Sequence, residues 1–189
     1  MRRGVYPGSF DPPTVAHLAL ADAAVAQGRL DTLDLVVSEV ALGKEGRRGP
    51  TAAARVAVLE AFAEERPWLR ARVTAGRLLA DIAAGYDVLV VGADKWAQVV
   101  DPAWYAGSVA ARDAALRRLP EVWVAPRPPA PLPALVAPVA GHLEVDARHS
   151  AVSSSAVRAG RRSWMAPAAA RAGLWDALPG CPGVADDPG

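Results

Sequence analysis

The chain has 189 residues, 52% of them hydrophobic, enough to bury the core of one α/β domain. Its 21 Lys and Arg nearly cancel its 20 Asp and Glu, for a net charge of +1, so it carries no global field for nucleic acid. Cys181 is the single cysteine, which excludes an internal disulfide and a cysteine-built zinc site. The three histidines, His17, His142 and His149, are too far apart in sequence to suggest a multi-histidine metal centre. No apolar run reaches the eighteen or so residues a membrane span needs. Met1-Arg2-Arg3 passes straight into a strand, with no signal-peptide pattern, so a cytoplasmic chain without membrane contact is expected.

Apolar runs alternate with helical stretches, the pattern of parallel βαβ units. Arg3 to Tyr6 reads as the first strand and Val15 to Gln27 as a helix stopped by Gly28. Thr32 to Ser38 is a buried strand, followed by a basic, glycine-rich loop from Gly43 to Pro50. Thr51 caps a helix over Ala52 to Glu65, Arg70 to Thr74 is a third strand, and Arg77 to Ala84 a short amphipathic helix. Asp87 to Val91 is the clearest central strand, apolar on both faces. Val109 to Leu119 reads as a helix and Val122 to Ala125 as a strand. The segment from Pro126 to Pro138 holds six prolines and excludes regular structure. Leu143 to Val145 is the expected last strand, Ser153 or Ser154 opens a helix, and Pro167 to Ala177 forms a terminal one. The organisation expected is a single domain over 1–178, a Rossmann-like doubly wound parallel sheet with C-terminal helices, and a disordered tail over 179–189.

Two stretches carry chemistry. Gly8-Ser9-Phe10-Asp11-Pro12-Pro13-Thr14-Val15-Ala16-His17 leaves a strand and opens a helix, which turns backbone N–H groups towards an anion. His17 falls one turn beyond Thr14 on the same helix face. Near the other end, Val152-Ser153-Ser154-Ser155-Ala156-Val157-Arg158 places three hydroxyls and a guanidinium at a helix start.

In Gly8, Phe10, Asp11, Pro12, Thr14 and His17 the first stretch resembles the nucleotidyltransferase signature Gly-x-Phe-Asp-Pro-x-(His/Thr)-x-x-His. The second is similar to that superfamily's Ile-Ser-Ser-Thr-x-x-Arg element, with Ser155 in place of the usual threonine. The resemblance implies that His17 donates to the α-phosphate, that Thr14 caps the helix and also reaches a phosphate oxygen, and that Arg158 with Ser153, Ser154 and Ser155 holds the β and γ phosphates. Gly8, Ser9 and Phe10 would complete the nucleotide cradle, with Asp11 shaping the loop rather than acting as a base. Gly92-Ala93-Asp94 resembles the ribose-binding element of mononucleotide adenylyltransferases, and Arg127 a Pro-Arg element lining the nucleotide pocket. Among Trp96, Trp104 and Tyr105, Trp104 is the preferred stacking surface for a pyridine ring, with Trp96 the second candidate. Lys44 and Arg55 are the candidates for the acceptor's phosphate, while His142 and His149 are read as structural or surface residues.

The tryptophans after Gly-Ala-Asp make nicotinamide and nicotinate mononucleotide adenylyltransferases the nearest group, with ATP and its Mg2+ on one side and a phosphorylated acceptor on the other. The resemblance also admits a homo-oligomer. The Thr-x-x-His form also occurs in phosphopantetheine adenylyltransferases, which are usually shorter and lack the tryptophans. Cytidylyltransferases, class I aminoacyl-tRNA synthetases and a non-catalytic nucleotide binder fit these residues less well.

Overall fold

The computed structural model describes residues 1–39, 49–76 and 78–177. Six strands, β1 (Arg3–Pro7), β2 (Thr32–Ser38), β3 (Leu69–Thr74), β4 (Val88–Gly92), β5 (Glu121–Ala125) and β6 (Val139–His142), form one sheet in the order β3-β2-β1-β4-β5-β6. Every pairing is parallel. The helices are α1 (Val15–Gly28), α2 (Ala52–Glu60), α3 (Leu79–Ile82), α4 (Ala93–Val100), α5 (Val109–Leu116), α6 (Ser154–Arg158) and α7 (Pro167–Arg171).

Strand residues alternate between two cores, one on each face of the sheet. Tyr6, Leu33, Leu35, Val37, Val88 and Val90 pack with α1, α2 and the C-terminal helices. Val5, Val36, Leu89, Val91, Val122 and Val124 pack with Ile82, Trp96 and Val99 from α3 and α4. Burial on both faces is what makes these strands read as unbroken apolar runs. The chain moves outward one way through β2 and β3, then returns to the centre and moves the other way through β4, β5 and β6. The direction switches between β1 and β4, and a crevice opens there beyond the strands' carboxyl ends, where open α/β sheets bind ligands.

Two expectations are corrected. The last strand is Val139–His142, not Leu143 to Val145. The terminal helix ends at Arg171 rather than Ala177, because the chain turns at Gly173 (φ 66°) to tuck Trp175 inside at 2% exposure. Ala93–Val100, to which no element is assigned from the sequence, is a helix.

Gly28 does not stop α1 as a left-handed cap. It is the last helical residue, buried against Leu30, and the exposed Arg29 takes the left-handed conformation instead (φ 49°, ψ 51°). An L side chain there costs roughly 1 kcal/mol that glycine avoids. Arg29→Gly is therefore expected to raise the melting temperature by about 2–4 °C, read by thermal denaturation.

Candidate active site

The chain leaves β1 at Pro7, and the Gly8 N–H still donates to the Val36 carbonyl at 3.0 Å. Phe10 then turns back with φ 43°, a left-handed conformation that a bulky residue holds only when its surroundings over-determine it. The surroundings do so here. Its ring is fully buried, meets Tyr6 edge-on at 5.5 Å and His17 at 5.0 Å, and lies so close beneath Gly8 that a Cβ there would stand 2.8 Å from it. Phe10 is thus the floor of the loop and not a nucleotide-facing surface, a correction to its expected role. Gly8 is the glycine that lets the ring fit.

Thr14 caps α1, and its partnership with His17 is reciprocal. The Thr14 hydroxyl accepts from the His17 backbone N–H at 3.4 Å, and the Thr14 backbone N–H donates to His17 Nδ1 at 3.0 Å. This is a capping box with histidine where Glu or Gln commonly stands. Because Nδ1 accepts, the neutral ring carries its proton on Nε2, the nitrogen on the opposite side. Thr14 itself is fully buried, with its hydroxyl 2.8 Å from Nδ1. Its hydroxyl is engaged in orienting the imidazole, which corrects the expectation that it also reaches a phosphate.

The C-terminal segment docks directly on this loop. The Ser154 hydroxyl donates to the Pro12 carbonyl at 2.8 Å, and Arg158 donates to the Asp11 carbonyl and, at 3.0 Å, to the Ser155 hydroxyl. Ser153 caps α6 by accepting from the Ala156 N–H at 3.1 Å. The Ala166 N–H donates to the Pro13 carbonyl at 3.0 Å, and Thr14 bridges to Met165. Asp11, 6% exposed, accepts from the Trp175 indole N–H at 2.9 Å, a loop-shaping contact. The two stretches singled out in the sequence, 142 residues apart at Pro12 and Ser154, therefore share one hydrogen-bonded junction.

A cleft of about 1270 Å³, its open mouth included, lies at the β1/β4 switch point. It brings together Gly8, Ser9 and His17 from the first loop, Gly92 and Asp94 from the end of β4, Trp104, and Arg127 from the end of β5. A Cβ on Gly92 would stand 2.6 Å from the Asp94 carboxylate, so glycine leaves that carboxylate its place. Arg127 faces Asp94 at 3.9 Å and donates to the Val152 carbonyl at 2.8 Å, joining the cleft to the serine segment. Trp104 rides on a 3-10 turn, Pro102–Tyr105, capped by Asp101, and is 39% exposed. Trp96, 6% exposed, packs in the core under α4, so it offers no stacking face.

Arg55 reaches the loop from α2 and donates to the Ser9 carbonyl; burial pulls its pKa down while Asp11 opposes that shift. Its place is behind the loop, outside the residues lining the cleft. Lys44 lies outside the described residues. His142 holds the proline-rich segment through the Pro133 carbonyl at 2.7 Å. Four polar residues of the cleft were not among the candidates: Tyr6, Ser38, Lys95 and Gln98. Burial drives the Tyr6 pKa far up, so it lines the cleft as a neutral phenol. Lys95 and Gln98 share a helix face with Asp94, a signal visible only once Ala93–Val100 is recognised as a helix.

The cytidylyltransferase-like family pattern matches residues 5–160. Over 64 residues the chain is 47% identical to a protein of Albidiferax ferrireducens described as a probable nicotinate-nucleotide adenylyltransferase. That stretch is 33% of this chain and 32% of the relative, so the match spans about a third of the relative's length. In three dimensions the chain is similar to the Plasmodium falciparum nicotinic acid mononucleotide adenylyltransferase complexed with NaAD, with a TM-score of 0.68 over 94% of this chain and 97% of the other. At 10% identity that likeness is one of fold. Among the described residues no helix is long and apolar enough to cross a membrane.

Proposed function

The chain belongs to the cytidylyltransferase-like family, and from that premise we propose that it is an adenylyltransferase acting on a pyridine mononucleotide. The acceptor's phosphate oxygen attacks the α-phosphorus of ATP, a P–O bond forms, the bond to the β-phosphate breaks, and pyrophosphate leaves. The observation that carries the reading is the cleft itself, which an oriented imidazole, the Gly92-Ala93-Asp94 start of α4 and an exposed indole line together. Nε2–H of His17 donates to the α-phosphate as charge grows on it, a role that requires positioning and no covalent intermediate. Asp94 accepts from the ribose hydroxyls, Arg127 and Arg158 neutralise the phosphates, and Trp104 stacks on the pyridine ring. The names of the Albidiferax and Plasmodium relatives support the same acceptor class.

Magnesium belongs in this scheme as part of the substrate MgATP, its charge offset by triphosphate oxygens. Among the described residues no three His, Cys, Asp or Glu side chains gather to hold a resident ion. A pyrophosphate-release screen tests the reading: ATP and CTP, each against nicotinamide mononucleotide, nicotinate mononucleotide and phosphopantetheine. Product with ATP and a pyridine mononucleotide is expected; product only with phosphopantetheine or only with CTP sinks the proposal. Trp104→Ala should then raise KM for the pyridine nucleotide about tenfold, the loss of one stacking face, with a much smaller change for ATP.

A further inference from the structure

Lys95 stands in the first turn of α4, directly after Asp94, and the half-buried stem of its side chain lines the cleft. Nζ donates to Gln98 Oε1 at 3.2 Å and lies 5.9 Å from the centroid of the Trp104 ring. Among the described residues no carboxylate comes within 4 Å of it, since Asp94 is drawn to Arg127 across the cleft. Burial pulls the Lys95 pKa down against the attraction of Asp94, so this cation is partly desolvated and incompletely compensated.

Beside it a shallower hollow of about 470 Å³, its open mouth included, lies between α4, the Trp104 turn and α5, walled by Leu79, Val99, Tyr105 and Leu119. Lys95, Gln98 and Trp104 border both this hollow and the main cleft. A flat ring on Trp104 therefore meets apolar walls and a single polar corner. That corner presents the ammonium and, beside it, the Gln98 amide, whose oxygen already accepts from Lys95 and whose NH₂ can donate. A carboxylate can accept from both groups. A carboxamide has one oxygen to offer and no negative charge, so it forgoes the charge-assisted bond that a carboxylate makes to the ammonium.

Resting on the proposed pyridine-nucleotide reading, we propose that Lys95, seconded by Gln98, is the specificity determinant that selects an acceptor ring bearing a carboxylate, nicotinate mononucleotide, over the corresponding amide. The charge is the operative feature, so arginine should substitute for it and methionine, similar in length and apolar, should not.

The test is adenylyl transfer from ATP to each mononucleotide, measured on the wild type, Lys95→Met and Lys95→Arg. The wild type should prefer the acid. Lys95→Met should lower the acid-to-amide ratio of kcat/KM by ~10–100-fold, the usual worth of one hydrogen bond to a charged group. The change should lie mainly in KM for the acid, with KM for ATP near its wild-type value, and Lys95→Arg should keep the preference. A wild type that favours the amide overturns the proposal whatever the variants do, as does a ratio that Lys95→Met leaves unchanged. Transfer to both mononucleotides without dependence on Lys95 removes this inference alone. Transfer to neither removes the pyridine-nucleotide reading and this inference with it.

Discussion

Replacing His17 with alanine is expected to lower kcat by ~10²–10³, the cost of one lost donor to a developing oxyanion, while the affinity for ATP changes little. The size follows from how firmly the ring is held. Nδ1 accepts the Thr14 N–H, the Phe10 ring lies against the imidazole, and Tyr6 packs behind both, so little reorganisation remains for the transition state. Alanine also removes the acceptor of a buried cap N–H, which costs roughly 1 kcal/mol of stability by itself. His17→Gln separates the two effects, since its carboxamide oxygen can still serve the capping box. Its melting temperature should return towards the wild-type value while kcat stays well below it. Single-turnover rates with ATP and a pyridine mononucleotide, read beside thermal melts, check this. Rates within tenfold of wild type for both variants would mean that His17 only caps a helix.

The start of α1 is legible in the sequence because the determinants of its cap are local. The Thr14 cap and the histidine three residues on act within one turn of each other. Asp11 was likewise read as a loop-shaping residue, and its indole partner fits that reading. The failures are tertiary. α4 carries Trp96, Val99 and Val100, poor helix formers, and it is helical because Ala93, Trp96 and Val99 pack into the core beneath the sheet. Without the helix, the shared face of Asp94, Lys95 and Gln98 is invisible. β6 was misplaced because Leu143-Glu144-Val145 is locally the more strand-like stretch. Pairing with β5 decides otherwise: Gly141 lies opposite Trp123, whose ring would stand 2.9 Å from any Cβ at that position. Leu143 still donates to the Val124 carbonyl at 2.9 Å and buries its side chain, so the local signal erred by register more than by kind. Phe10 was assigned to the nucleotide on the strength of its place in the signature, whereas its burial makes it a support.

Asp11→Ala is the substitution expected to cost most in stability, about 2–4 kcal/mol, or a fall of roughly 5–15 °C in melting temperature. The Asp11 carboxylate accepts the buried Trp175 indole N–H on one oxygen and lies 4.0 Å from the Arg158 guanidinium on the other, while the Asp11 carbonyl accepts from Arg158 as well. Removing the side chain strands the indole N–H at a site that is 2% exposed and takes the countercharge from Arg158. Asp11→Asn keeps an oxygen for the indole and should cost less than half as much. Because the same carboxylate joins Trp175 to Arg158, the loss should also appear in KM for ATP, by loosening the serine segment from the loop. Trp175→Phe, which keeps the ring and deletes only the N–H, supplies the partner for a double-mutant cycle. The two changes should be strongly non-additive, since once Asp11 is alanine the indole has no bond left to lose. Additive losses in chemical denaturation would show that the two side chains stabilise the protein independently, and that the junction between its ends is held by backbone contacts alone.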